Sequence, residues 1–255
     1  MRAARGIRAL AGHAHLFERA GDEPRSLWTE ALGDPPEVYR ERILHSGERV
    51  LRRWDPSRSK FGAALTKGWA EPVPGDGERW LYLGASTGTT PSHLADLVGP
   101  AGRVYALERS VRPFARLHQL ALRYPNLLPI LADARRPMEY AGLVPPVDGI
   151  YVDVAQPDQV AIGLDNARLF LGSAGAFVIA LKTASMGRER EPRQHLAAAV
   201  AEMDAIELEP AVDLAPYHRR HFLLGGRPTR ALFREPGGDG ARRPTGPVNR
   251  APRRS

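Results

Sequence analysis

Glu108, Asp133, Asp153 and Lys182 each follow a short, mostly apolar run of the kind that forms a buried strand. Ahead of them lies Gly84-Ala85-Ser86-Thr87-Gly88-Thr89-Thr90, a stretch of small and hydroxylated residues between the run 79–83 and a helix start. Such a turn gathers backbone N–H groups and the positive end of a helix at the carboxyl edge of a sheet, where a small polar or charged ligand binds. It has neither the Gly-x-Gly-x-x-Gly spacing nor Gly-Lys-Ser/Thr, which argues against a phosphate loop. Glu108, at the end of the next strand, suits the two hydroxyls of a ribose, and Asp133, one strand further, suits an adenine amino group. The chemistry indicated is recognition of an adenosine derivative, and both NAD and S-adenosylmethionine satisfy the spacing. Any one of the four strand-end residues is equally explained as a cap or turn residue. The set of four is harder to explain that way.

The elements that must position these residues alternate between periods of two and 3.6. Strands are expected at 79–83, 103–107, 127–132, 148–152 and 176–181, with helices at 90–99, 111–123, 166–171 and about 190–205. Thr90 is the expected cap of the first helix, with Pro91 at its first position and Gly99 past its end. Residues 206–214, followed by a hairpin of 222–224 and 230–233 through Gly225-Gly226-Arg227-Pro228, would complete the sheet. Upstream, 55–70 reads as a helix with Pro56 in its first turn and Lys60 and Lys67 seven residues apart on one face. Alternating strands and helices imply an α/β fold with a mostly parallel sheet. The organisation expected is a small N-terminal segment with some strands (1–54), a main domain (55–234) and a disordered Gly/Pro/Arg-rich tail (235–255).

Composition narrows the class. The chain has 255 residues, 43% of them hydrophobic, and a formal net charge of +7. No apolar run is long enough to cross a membrane and no secretory segment opens the chain, so a cytoplasmic protein without a membrane partner is the expectation. With no cysteine, disulfides and zinc–thiolate sites are excluded, and no metal site is expected. A basic balance points to an anionic partner, most often nucleic acid. The positive charge is almost all arginine. The three lysines, Lys60, Lys67 and Lys182, stand out because an amine, unlike a guanidinium, can enter proton chemistry.

Five blocks together carry a resemblance: Tyr82-Leu-Gly-Ala-Ser-Thr-Gly-Thr-Thr90 with Ser92-His93, Val104-Tyr-Ala-Leu-Glu108, Pro129-Ile-Leu-Ala-Asp-Ala-Arg135, Tyr151-Val-Asp-Val-Ala-Gln-Pro157, and Trp54-Asp-Pro-Ser-Arg-Ser-Lys60 with Lys67-Gly68. In this order they resemble fibrillarin, the RNA 2′-O-methyltransferase, in its archaeal-type length, over about 36–233. The resemblance implies a class I methyltransferase (Rossmann-like) fold with a seven-stranded, mostly parallel sheet. Its cofactor is S-adenosylmethionine. Cofactor contacts would fall on Thr89, Thr90, Glu108, Arg109, Asp133, Ala134, Asp153, Val154, Ala155 and Gln156, with the turn Gly84–Gly88 cradling the amino-acid end. The family's catalytic lysine–aspartate–lysine–histidine group falls on Lys60, Asp153, Lys182 and His221. A ribose 2′-hydroxyl is a poor nucleophile, so a base or strong acceptor must act on it, and Lys182 is the candidate. Asp153 would hold the lysines and the donor's charged end, and His221 would complete the network.

The resemblance further implies rRNA or tRNA as substrate, within a particle containing a box C/D guide RNA, a Nop-type scaffold protein and a kink-turn-binding protein. The chain departs from the family pattern at Val152, where glutamine is usual, at Gly187, where aspartate is usual, and at Arg220, where an aspartate normally precedes the histidine. Two other readings stay open: a methyltransferase-fold RNA-binding or assembly subunit without catalysis, and a guide-independent or small-molecule O-methyltransferase.

Overall fold

The computed structural model describes residues 6–22, 24–187 and 189–234, so the expected tail at 235–255 lies outside the described residues. Within them, two sheets share one core. The first is antiparallel, with order β1-β2-β3-β5-β4: β1 (Ile7–Ala9), β2 (Leu16–Arg19), β3 (Ser26–Glu30), β4 (Ile43–Ser46) and β5 (Arg49–Trp54). Period-two alternation gives it two buried faces. Phe17, Trp28 and Leu51 form a small cluster of their own, while Leu16, Leu27 and Trp54 join the main core.

The second sheet follows a short helix, α1 (Lys60–Thr66). It is built from β6 (Arg79–Leu83), α2 (Thr89–Leu97), β7 (Arg103–Glu108), α3 (Val111–Ala121), β8 (Leu127–Leu131), β9 (Val147–Val152), α4 (Gln159–Phe170) and β10 (Leu171–Lys182). Then come α5 (Pro192–Glu202), β11 (Ile206–Leu208), β12 (Val212–Asp213) and β13 (His221–Pro228). Seven strands run in the order β11-β13-β10-β9-β6-β7-β8, and β12 is an eighth strand added on β13. The neighbours from β10 to β8 are parallel, and β13 is antiparallel to β10. Each central strand is buried on both faces: Trp80 and Tyr82 face one half of the core, Leu81 and Leu83 the other. The chain leaves β6 for β7 on one side and returns to β9 on the other, so a crevice opens at the carboxyl end of β6.

Several expected boundaries move. The helix expected from 55 starts at Lys60, because Asp55 Oδ1 accepts from Ser57 N–H at 2.9 Å in a local turn and Ser59 then caps the helix by accepting from Gly62 N–H. Thr90 is not a cap: Gly88 holds that position with φ +95°, and the Thr90 hydroxyl donates to Ser59 Oγ at 3.0 Å. The expected hairpin is a single strand, β13, followed by a 3-10 turn at Arg230–Phe233. Gly226 reads as a turn residue but lies in the strand because a Cβ there would sit 1.9 Å from the Glu207 carbonyl oxygen. The helix read at 166–171 extends back to Gln159, and the strand read at 206–214 divides into β11 and β12.

A buried polar network around Arg52 of β5 joins the first sheet to α2 and to Tyr124 just after α3, in the layer that packs on the second sheet. The Arg52 guanidinium, fully buried, lies 2.8 Å from Glu41 and 3.4 Å from Asp96, and donates to Ser92 Oγ at 3.1 Å and to the Tyr124 hydroxyl. Thr29, directly across from Arg52 in the β3–β5 ladder, donates to Asp96 Oδ2 at 2.7 Å and contacts His93 Nδ1 at 2.8 Å. Tyr39 reaches the other ring nitrogen of His93 at 2.8 Å, and Trp54 stacks on that ring at 4.8 Å. Burial, then the Arg52 charge, pushes the His93 pKa well down and keeps the ring neutral. Burial raises Asp96 to about 6 against the pull of Arg52.

Candidate functional site

The crevice beside β6 is a cleft of about 240 Å³ lined by the ends of β6, β7, β8 and β9. Gly84 opens it with φ +85°. A Cβ there would meet the Asp153 carbonyl oxygen at 2.6 Å, so only glycine allows the turn to pass over the end of β9. The turn is tied down by Gly84 N–H and Ala85 N–H, which donate to the Leu107 carbonyl at 3.0 and 2.7 Å. Glu108 then accepts from Ser86 N–H at 2.9 Å and Ser110 N–H at 2.7 Å, one on each oxygen. These bonds fix the carboxylate at the rim of the cleft and leave lone pairs for hydroxyl donors.

Of the residues read from the sequence as cofactor contacts, the structure brings Gly84, Ser86, Glu108, Arg109, Asp133, Ala134, Asp153, Val154, Ala155 and Gln156 to this one cleft. Arg109 Nη1 lies 3.7 Å from Asp133. Leu107, Ala132 and Ile162 supply apolar wall beside the acids. Acids at the rim and apolar surface between them match the hydroxyls and ring of an adenosine moiety. The other turn residues go elsewhere. Ala85 and Thr90 are buried, Gly88 packs on Leu117 and Leu120, and Thr87 and Thr89 line a second groove. That groove also takes in Tyr39, Arg58, Arg116, Gln119 and Arg123.

The four residues expected to act on substrate come from four elements. Lys60, the first residue of α1, reaches across 93 positions to place its ammonium 2.6 Å from Asp153 Oδ1. The other oxygen of Asp153 accepts from the Tyr82 hydroxyl at 3.2 Å. Burial, with the Asp153 charge behind it, raises the Tyr82 pKa and keeps this phenol a donor. Asp153 therefore links the cleft, which it lines, to the lysine. Lys182 ends β10 and pairs with His221 at the start of β13. Lys182 is half-buried, and its ammonium makes no hydrogen bond or ion pair among the described residues. His221 Nδ1 lies 2.8 Å from the Arg219 carbonyl oxygen, so a backbone oxygen takes the place of an acidic partner. Burial, then the charge of Lys60, lowers the His221 pKa and favours the neutral ring.

Arg220 has φ +60°, and its carbonyl accepts from Thr183 N–H at 3.1 Å and Thr183 Oγ1 at 3.0 Å, pinning the turn that follows Lys182. This backbone role explains a residue type tolerant of left-handed conformation there. It does not explain arginine, which pays for that conformation without a local side-chain bond.

Three supports were assigned no role from the sequence. Buried Gln159 clamps Lys182 through both backbone groups, accepting its N–H at 2.8 Å and donating to its carbonyl at 3.1 Å. Tyr151 stacks on Phe61 with ring centroids 5.3 Å apart and lies tilted against Tyr82 at 4.8 Å. Arg135 forms a bidentate pair with Asp158 at 2.8 and 3.0 Å and donates to Gln156 Oε1 at 2.8 Å. Arg135 and Tyr151 stood inside motif blocks that could have flagged them, and Gln159 did not.

The fold has counterparts. The fibrillarin family pattern matches residues 9–230. The fibrillarin-like rRNA/tRNA 2′-O-methyltransferase of Staphylothermus marinus is 40% identical over 203 residues, covering 79% of this chain and 87% of that protein. The solved fibrillarin of Methanococcus jannaschii superposes with a TM-score of 0.83 at 35% identity, covering 87% of this chain and 97% of its own. The Aeropyrum pernix fibrillarin, solved with S-adenosyl-L-methionine natively bound, gives 0.78 at 36% identity, with 86% and 97% covered. A fibrillarin solved in complex with Nop5p gives 0.73 at 35% identity, with 88% and 98% covered. The chain therefore belongs to the fibrillarin family.

Proposed function

We propose that this chain transfers the methyl group of S-adenosylmethionine to a ribose 2′-hydroxyl of RNA. The observation that carries the reading is Asp153, which lines the cleft and holds Lys60 at 2.6 Å, next to a strand ending in Lys182, whose ammonium has no partner among the described residues. The cleft residues Glu108 and Asp133 would hold the ribose and adenine, and Gly84 to Ser86 the amino-acid end. Bound there, S-adenosylmethionine supplies a methyl group on a positively charged sulfur.

The residues of this chain orient the acceptor. In-line displacement requires the hydroxyl oxygen behind the methyl carbon, and positioning of that kind accounts for a large part of the rate. The C–S bond breaks as the C–O bond forms, and the hydroxyl proton must leave. Lys182 would orient the hydroxyl and, in its neutral amine form, take up the proton, while Asp153, braced by the Tyr82 hydroxyl, holds Lys60. His221, half-buried and held toward its neutral form, pairs with Lys182 in the strand ladder and would complete the cluster.

RNA as the acceptor fits the second groove, which is lined by Arg116, Arg123 and Arg58, the last of these two residues before Lys60 in the chain. Guanidinium groups there would meet phosphodiester charge, a contact that grips backbone without reading sequence. Sequence selection would then come from a box C/D guide RNA, held with a kink-turn-binding protein on a scaffold of the Nop5p kind, and the targets would be rRNA and tRNA.

Ribose-methylation mapping of RNA from cells with and without the gene tests the function. Loss of methylation at defined riboses supports it, and an unchanged map defeats it.

A further inference from the structure

His218 lies outside the four-residue cluster, yet it is bonded to the segment that presents it. The loop 214–220 joins β12 to β13 and holds α1 at both ends. His218 Nε2 lies 2.9 Å from the carbonyl oxygen of Pro56, just before the Ser59 cap, and the Lys67 ammonium at the far end of the helix donates to the Ala215 carbonyl. The loop itself is closed by Leu214 N–H on the His221 carbonyl at 3.0 Å and His218 N–H on the Leu214 carbonyl at 2.9 Å. It runs into His221, whose backbone is in register with Lys182. One loop is therefore tied by side chains to the helix that carries Lys60 and by strand pairing to the strand that carries Lys182.

The chemistry of the tie is defined. A carbonyl oxygen only accepts, so His218 Nε2 must carry the hydrogen. Burial, together with the charge of Lys60, lowers the His218 pKa and favours the neutral ring, in which Nε2 can be the single N–H. The ring is half-buried and sits edge-on to His221 with centroids 6.0 Å apart. Lys60 needs outside support because it opens a helix, where the positive end of the dipole repels an ammonium. Its 2.6 Å approach to Asp153 depends on where the 55–59 backbone is held.

We propose that His218 is a positioning residue for methyl transfer: its bond to Pro56 sets the backbone from which Lys60 reaches Asp153, and so sets that ion pair relative to Lys182. The proposal rests on the methyltransferase reading above. Lys67 serves the same clamp from the other end of α1.

The test compares His218→Phe, which keeps a ring without the donor, with His218→Gln, which keeps an N–H within reach. Each is made in the full chain and assayed with saturating S-adenosylmethionine and RNA. Because the chain has only three lysines, ¹⁵N-lysine labelling also reports Lys60 directly. In His218→Phe we expect kcat to fall about 10-fold, the KM for S-adenosylmethionine to stay within about 2-fold, and the Lys60 side-chain signal to move. In His218→Gln the rate and the signal should return to near wild type. A wild-type kcat in His218→Phe, an unmoved Lys60 signal, or a glutamine variant as impaired as phenylalanine would each overturn the proposal. If wild-type protein methylates no RNA while the Lys60 signal still moves in phenylalanine and returns in glutamine, the positioning contact stands and the RNA methyltransferase reading falls.

Discussion

The Arg52 network and the Lys60–Asp153 cluster are built from the same materials and put to opposite uses. Both bring cations and carboxylates together from positions far apart in the chain. Around Arg52 two carboxylates, two hydroxyls and a histidine close on a guanidinium with no exposure, and nearly every donor is used, Arg52 Nε being an exception. Around Asp153 the groups remain partly open to solvent, and Lys182 is left without a partner among the described residues. A buried ionic network that is satisfied resists loss of any member, because what remains is an unpaired buried charge. An open cluster with one uncommitted amine tolerates change in stability and answers in rate. The first locks the N-terminal sheet to the layer that packs on the main sheet, and the second is free to meet a substrate.

That contrast can be broken from either side. Arg52→Met should have the largest effect, a loss of roughly 3–5 kcal/mol in denaturant unfolding from stranding Glu41 and Asp96. A cost under about 1 kcal/mol would mean the network is ornamental.

Next is the pH dependence of Asp96. Its pKa is raised from 3.8 to about 6 in the fold, so its contribution to stability is full below pH 3.8 and is lost as pH rises through about 6. The wild-type minus Asp96→Asn stability difference should therefore fall by about 3 kcal/mol across that window, since each pH unit between the two values carries about 1.36 kcal/mol. A flat difference curve would place the ionisation elsewhere.

Lys182→Ala should cost about 100-fold in single-turnover methyl transfer, roughly 2.7 kcal/mol in barrier. Its melting temperature and S-adenosylmethionine binding should hardly change. Wild-type turnover would remove Lys182 from the chemistry.

The smallest expected effect belongs to the support beneath Lys182. Gln159→Leu removes the clamp on both Lys182 backbone groups and should cost about 1–3 kcal/mol of stability, since two buried polar groups lose their partners. It should also lower the rate. A change in stability with no change in rate would show that Lys182 is held without Gln159.

The ladder of strands and the carboxyl-end residues were legible in the sequence. Two-sided apolar runs mark buried parallel strands, and a polar residue after such a run must lie at its end. Glu108, Asp133, Asp153 and Lys182 could be placed this way before any geometry. The turn was readable only in part. Small hydroxylated residues announce a ligand loop, but they do not say that Thr87 and Thr89 turn toward a different groove from Ser86. The hairpin at Gly225-Gly226 misread for a related reason: glycine serves both a turn and a close backbone approach, and only the neighbouring Glu207 carbonyl decides which.

By itself, then, the sequence determined the order of strands and helices, the residues at the strand ends and the family, because these follow from local periodicity and short-range turn chemistry. Tertiary structure decided that Lys60 meets Asp153 across 93 positions, that Arg52 and Asp96 lock the first sheet to α2, and that Gln159 and His218 hold the reacting groups in place. Side-chain partners so far apart in the chain leave no trace in local pattern. They exist only once the packing of two sheets and one short helix has fixed which polar groups lose water together.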